Sequence, residues 1–92
     1  MSIIRAGVVG VGHLGKEHAR VYASMKAVEL VGVADLDKKR ARSVAKKHKT
    51  DFSDKIEPLL EKADAVSVVV PTVNHHAVAM PFLKAGISVL VE

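Results

Sequence analysis

The sequence predicts an α/β fold, a doubly wound parallel sheet with strand order 3-2-1-4-5. Three observations carry that prediction. Apolar, strand-like runs alternate with segments of helical periodicity along the 92 residues. A glycine-rich turn, GVGHLG, joins the first run to the first helical segment. An acid, Asp35, closes the second run. Short connections and right-handed crossovers turn such an alternation into a parallel sheet with helices on both faces.

Ser2 to Val9 (SIIRAGVV) reads as a strand that stops at glycine. Leu14, His18, Val21, Tyr22 and Met25 then recur at helical spacing over His13 to Met25. Val28 to Ala34 (VELVGVA) is a second strand. Asp37 is suited to cap the helix that follows, because its carboxylate can accept backbone N–H bonds from the first turn. In that helix Ala41, Val44, Ala45 and His48 are spaced to face inward. Thr50 to Phe52 forms a short edge strand. Ile56, Leu59, Leu60 and Ala63 mark a brief helix beginning near Lys55 to Glu57, since Pro58 is tolerated only near a helix start. Ala65 to Val70 (AVSVVV) is a buried strand stopped by Pro71. Asn74 is expected to N-cap a helix through Ala85, with Pro81 kinking or loosening it. Gly86 supplies the positive-φ turn, and Ile87 to Val91 is the last strand.

Composition narrows the function. A chain this long holds one small domain with a modest core. The only aromatic residues are Tyr22, Phe52 and Phe82, so Val, Ile, Leu and Ala must fill that core. Such a composition favours strands buried on both faces. The absence of cysteine excludes disulfides and Cys-based zinc sites, and suits a cytoplasmic protein. Arg5 interrupts the first apolar run, which no basic region precedes, so the N-terminus is no signal peptide. No apolar run approaches the about 20 residues that span a bilayer, so no membrane partner is expected. The formal charge is +4, and Lys38 to Lys49 (KKRARSVAKKHK) holds seven of the fourteen Lys and Arg residues. No aromatic residue interleaves with them to stack on bases. They read as the solvated face of a helix, and no nucleic-acid partner is expected.

The turn GVVGVGHLGKEH, Gly7 to His18, fits two phosphate-binding motifs. A P-loop needs Ser or Thr directly after its lysine to ligate Mg²⁺. Glu17 stands there, and its carboxylate would repel a triphosphate. The dinucleotide fingerprint G-x-G-x-x-G uses every glycine. Gly10 makes the tight turn, Gly12 admits the pyrophosphate, and Gly15 lets helix and strand pack closely. Asp35 follows Gly15 by twenty residues, where a carboxylate would hold the adenosine ribose. The expected crevice opens at the carboxyl ends of strands one and four, where the strand order reverses. The glycine turn and Pro71 to His76 both lie there. Asp35 favours NAD by repelling a 2′-phosphate. Lys38, Lys39 and Arg40 lie just beyond and would attract one, so NADP stays open.

These residues resemble the glucose–fructose oxidoreductase/inositol dehydrogenase (Gfo/Idh/MocA) family across essentially the whole chain. The resemblance rests on GVVGVGHLGKEHAR, ELVGVADLD, AVSVVVPTVNHHAVA and KAGISVLVE. It implies an N-terminal Rossmann domain for NAD(P), ahead of a larger C-terminal domain that binds sugar-like substrates. It makes Gly10, Gly12, His13, Leu14 and Gly15 the pyrophosphate turn and Asp35 the ribose ligand. Pro71 and Thr72 would line the cofactor, and His75 would sit toward the nicotinamide ribose. Glu92 would open the family's Glu-Lys-Pro motif, whose lysine contributes to catalysis. That lysine would stand one residue past Glu92, so the chain reads as a fragment lacking the sixth strand, the catalytic lysine and the substrate domain.

No catalytic residue and no metal ligand is therefore assigned. Hydride transfer from a carbinol needs a base for the hydroxyl proton. Histidine is the residue type best suited to that task, but His75 is expected to contact cofactor or cap its helix, and His76 to face solvent. The first reading is the cofactor-binding part of an oxidoreductase acting on a sugar, polyol or related carbinol, inactive alone. The alternative is a freestanding nucleotide-binding or interaction module. Salt-dependent DNA binding through the basic helix would mark a third class. An apolar edge at Ile87 to Val91 also predicts self-association.

Overall fold

A computed structural model describes residues 3–92. Its elements run in chain order as β1 (Ile4–Val9), α1 (His13–Ser24), β2 (Val28–Ala34), α2 (Lys38–His48), β3 (Phe52–Ser53), α3 (Glu57–Lys62), β4 (Ala65–Val68), α4 (His75–Lys84) and β5 (Ser88–Val91). A 3₁₀ turn, Thr72–Asn74, leads into α4. All strand pairs are parallel, and the five strands lie in the predicted order 3-2-1-4-5.

The two-residue period of a strand divides the core between the two faces of the sheet. Val8 and Val33 join Val11, Ala19, Ala41, Val44 and Ala45 on the side of α1 and α2. Val9 and Ala34, each one residue on, join Leu59, Ala63, Val66, Val68, Phe82 and Ile87 on the side of α3 and α4. The Val-rich strands are thus buried twice over, as their composition requires. Phe82 is fully buried, and burying such a side chain contributes about 1.5–3 kcal/mol. Gly7 and Gly32 are register partners on β1 and β2. A Cβ on Gly7 would come within 2.7 Å of the Leu59 side chain, and one on Gly32 within 3.0 Å. The paired glycines leave the hollow in which Leu59, and with it α3, sits.

Several boundaries and faces differ from the sequence reading. The first strand begins at Ile4, and Ser2 lies outside the described residues. The edge strand is Phe52–Ser53 rather than Thr50–Phe52, because the Thr50 hydroxyl donates to the Leu30 carbonyl (2.7 Å) and holds that residue in the turn. β4 leaves the ladder at Val68, two residues before Val70. In α1, Gly15 and Ala19 are the buried residues, with His18 and Tyr22 half-buried, while Leu14 and Val21, and Met25 just past the helix end, are exposed. The small residues bring this helix so close to the sheet that the bulky ones are turned out. Asn74 does not cap α4 with its side chain. The preceding 3₁₀ turn gives it helical angles (φ −100°, ψ −5°), whereas a capping side chain needs extended backbone to reach the first-turn N–H groups. α4 continues through Pro81 to Lys84, and Gly86 makes the turn into β5 at φ +78°. No helix among the described residues is long and apolar enough to cross a membrane.

Candidate functional site

The carboxyl ends of β1, β2 and β4 meet around one cleft of about 620 Å³, bordered by Gly10, Gly12, Asp35, Arg40, Pro71 and Asn74 among others. The register brings them together: Val9 is opposite both Ala34 and Val68. Backbone bonds extend that register past the strands, from Gly10 N–H to the Ala34 carbonyl (2.7 Å) and from Val69 N–H to the Val9 carbonyl (2.8 Å).

The three glycines of the turn do different things. Gly10 has φ +90°, and a Cβ there would collide with the Val69 carbonyl oxygen. A Cβ on Gly15 would collide with the Gly10 carbonyl oxygen. Gly12 has no other atom within 4 Å of where its Cβ would be, so its missing side chain opens space rather than relieving a contact. Gly12 also caps α1 with no side-chain bond. The first-turn N–H groups of α1 therefore keep their donors free, at the end of the helix that carries partial positive charge. An open approach, free donors and positive potential together make a seat for a phosphate.

Asp35 stands at the end of β2 with only 5% of its side chain exposed. Its Oδ2 accepts from the Val11 N–H (2.9 Å) and from Arg40 Nε (3.1 Å). Its Oδ1 accepts from the Asp37 N–H (2.8 Å) and from Arg40 Nη2 (3.1 Å). Burial pushes its carboxyl pKa up, but the Arg40 guanidinium and the two N–H groups outweigh burial and hold it below the ordinary value. The charge is thus kept at neutral pH. Asp37 caps α2 as expected, accepting from the Arg40 N–H (3.2 Å).

The structure brings Gly10, Gly12, Asp35 and Pro71 to the wall of this cleft. Gly15 lies beneath, packing α1 on the turn, and His13 and Leu14 are exposed on the first turn of α1. Thr72 begins the 3₁₀ turn, and its side chain lies outside the described residues. His75 faces inward on its own loop: its Nε2 meets the Val70 carbonyl at 2.7 Å. A carbonyl only accepts, so that nitrogen carries the proton and the ring clamps the β4–α4 connection. Glu92 follows β5, its N–H donating to the Val68 carbonyl (3.1 Å).

Sequence reasoning missed the far wall. Asp54, Lys55 and Ile56 of the β3–α3 connection border the cleft, as do Ala77 and Val78 of α4. Asp54 follows the carboxyl end of a parallel strand, which is where crevices of such sheets open. That position was the available signal.

A family model described as "Oxidoreductase family, NAD-binding Rossmann fold" matches residues 4–92. The chain belongs to the Gfo/Idh/MocA oxidoreductase family. The resemblance stated from the motifs is therefore correct. Within the Gfo/Idh/MocA family, the chain is 43% identical over 89 residues to UDP-N-acetylglucosamine 3-dehydrogenase of Acidithiobacillus ferrooxidans, matching 97% of this chain and 28% of that protein. A solved structure of that dehydrogenase superposes with a TM-score of 0.92 at 42% identity, over 99% of this chain and 29% of the other. Inositol 2-dehydrogenase 1 of Saccharopolyspora erythraea is 35% identical over 94 residues, covering 97% of this chain and 28% of that one. The structure of GenD2 from gentamicin A biosynthesis, in complex with NAD, has a TM-score of 0.94 at 27% identity, covering 99% and 27% of the two chains. The chain thus spans under a third of the length of these Gfo/Idh/MocA proteins.

Proposed function

We propose that this chain is the cofactor-holding domain of an oxidoreductase acting on a sugar, polyol or related ring carbinol, and that it holds NAD in the cleft at the carboxyl ends of β1, β2 and β4. One observation carries the reading: the open glycine turn and the ionised Asp35 converge on that single cleft. The first-turn N–H groups at Gly12, His13, Leu14 and Gly15 hold the pyrophosphate, with Gly10 shaping the turn. Asp35 takes the adenosine ribose hydroxyls. Pro71 borders the side of the cleft assigned to the nicotinamide, and the family resemblance assigns Thr72, His75 and Glu92 to that same side. Bound nicotinamide supplies the hydride acceptor.

The relatives support the substrate class, since the names of two of them specify a nucleotide sugar and an inositol. Both offer a secondary hydroxyl on a saturated ring. The residues of this chain bind and orient the cofactor. None of them is assigned as the base that takes the hydroxyl proton, so the isolated chain is inactive with polyols.

The test is a fluorescence titration of NADH into the purified 92-residue chain, with NADPH and ATP as controls. Saturable binding of NADH, lost in Asp35→Ala, is expected. A folded chain that binds ATP better than NADH, or neither, would overturn the reading. Turnover of polyols would overturn the claim of inactivity.

A further inference from the structure

Val11 stands between Gly10 and Gly12 and is fully buried. Its side chain belongs to the core on the α1 side, with Val8, Ala19 and Val33. β1 ends at Val9, and Gly10 turns the chain at φ +90°, so the ladder offers the Val11 N–H no carbonyl. Its partner is Asp35 Oδ2 at 2.9 Å, in a buried bond. A buried N–H without a partner is costly, so this bond decides where the turn can sit. The carboxylate is itself held in place, by the Asp37 N–H and by both arms of the Arg40 fork. Gly12 follows Val11 directly and is the N-cap of α1. The free N–H groups that receive a phosphate thus take their position from a carboxylate assigned so far to the ribose alone.

We propose that Asp35 is a positioning residue for the pyrophosphate: through the Val11 N–H it holds the glycine turn, and with it the first turn of α1, in the shape that receives phosphate. This rests on the dinucleotide reading above. The seats for ribose and pyrophosphate are then one unit, joined by a single carboxylate and set before the ligand arrives. Removing the carboxylate harms both seats. The ribose loses its acceptor. The turn is left with an unpartnered buried N–H and must rearrange to satisfy it, which moves Gly12 and the donors that follow.

A ligand without the ribose diol separates the two roles. NADH and its analogue with 2′,3′-dideoxyadenosine in place of adenosine are titrated calorimetrically into wild type and Asp35→Ala, with circular dichroism to follow folding. Were Asp35 a ribose ligand only, the analogue would bind both proteins equally. The expected result is analogue binding about tenfold weaker in Asp35→Ala, and a larger loss for NADH. NMR of the wild type tests the tie without a variant that has to fold. As acid protonates the Asp35 carboxyl, the Val11 amide resonance should move with it, and further than that of Gly10, whose N–H bonds to the Ala34 carbonyl. The Asp37 carboxyl is followed alongside, so that its own titration is told apart. Equal affinity of the analogue for wild type and folded Asp35→Ala would overturn the positioning role and leave the dinucleotide reading standing. So would a Val11 amide that stays in place while Asp35 is protonated. Absence of NADH binding to folded wild type would overturn both.

Discussion

A Cβ added to Gly12 enters open space, whereas one added to Gly15 meets the Gly10 carbonyl. The same substitution should therefore do opposite things three residues apart. Gly12→Ala is expected to leave stability within about 0.5 kcal/mol and to weaken NADH binding. Gly15→Ala must push α1 off the sheet and should cost about 1–3 kcal/mol. Urea denaturation paired with NADH titration separates the two effects. Equal destabilisation by both would refute the division of labour in the turn. Asp35 adds a pH dependence whose sign is fixed. Burial raises its pKa, the Arg40 and backbone donors lower it further, and the net value lies below that of an unfolded aspartate. Its stabilising contribution is thus complete above about pH 5 and is lost as pH falls through the folded pKa. Melting temperatures of wild type and Asp35→Asn should differ at neutral pH and converge below about pH 4. A gap that stays constant with pH would mean that the Asp35 charge is not what stabilises. The position of Asp35 was legible because the fingerprint spacing encodes it. Its saturation by Arg40 was not, since five residues along the chain say nothing of which way a long side chain turns.

Helices and strands were placed well by periodicity, and their ends less well. The ends depend on single hydrogen bonds that apolar spacing does not register. Asp37 was legible as a cap because its type and position suffice. Asn74 was misread because a 3₁₀ turn, invisible to the pattern, sets its backbone helical. The inward face of α1 was misread for a related reason: hydrophobicity marks Leu14, Val21 and Met25, but close packing selects Gly15 and Ala19. The end of α2 is the reverse case. Lys49 sits in the left-handed region (φ 55°, ψ 48°), its N–H bonding back to the carbonyls of Ala45 and Lys46. Only glycine takes that conformation without strain. Lys49→Gly should therefore stabilise the protein by about 0.5–1 kcal/mol, seen as a higher denaturation midpoint with an unchanged slope. A lower midpoint would mean that the lysine side chain contributes more than its backbone angle costs.

At the scale of the whole molecule, the two edges of the sheet are unequal. β3 is two residues long and ends the sheet abruptly. β5 runs for four residues, Ser88–Val91, carries no charge, and pairs with β4 alone among the described strands. Leu90 and Val91 are exposed on it. Leu90 also borders a shallow groove of about 250 Å³ with Glu17, His18, Val21 and Tyr22 of α1. An uncharged open edge beside an apolar groove is a template for another strand, and a single lysine on such an edge is the usual natural deterrent. We propose that isolated chains associate through β5. Sedimentation should show a mass that rises with concentration, and Leu90→Lys should return the chain to a monomer with its melting temperature nearly unchanged. The low cost follows from Leu90 being already half in solvent, so that little buried area is lost. A wild-type chain that stays monomeric across the accessible concentration range would overturn the proposal. So would an association that Leu90→Lys leaves intact. In that outcome the exposed residues Leu14 of α1 and Met25 at its C-cap, which lie outside this groove, become the surface to test.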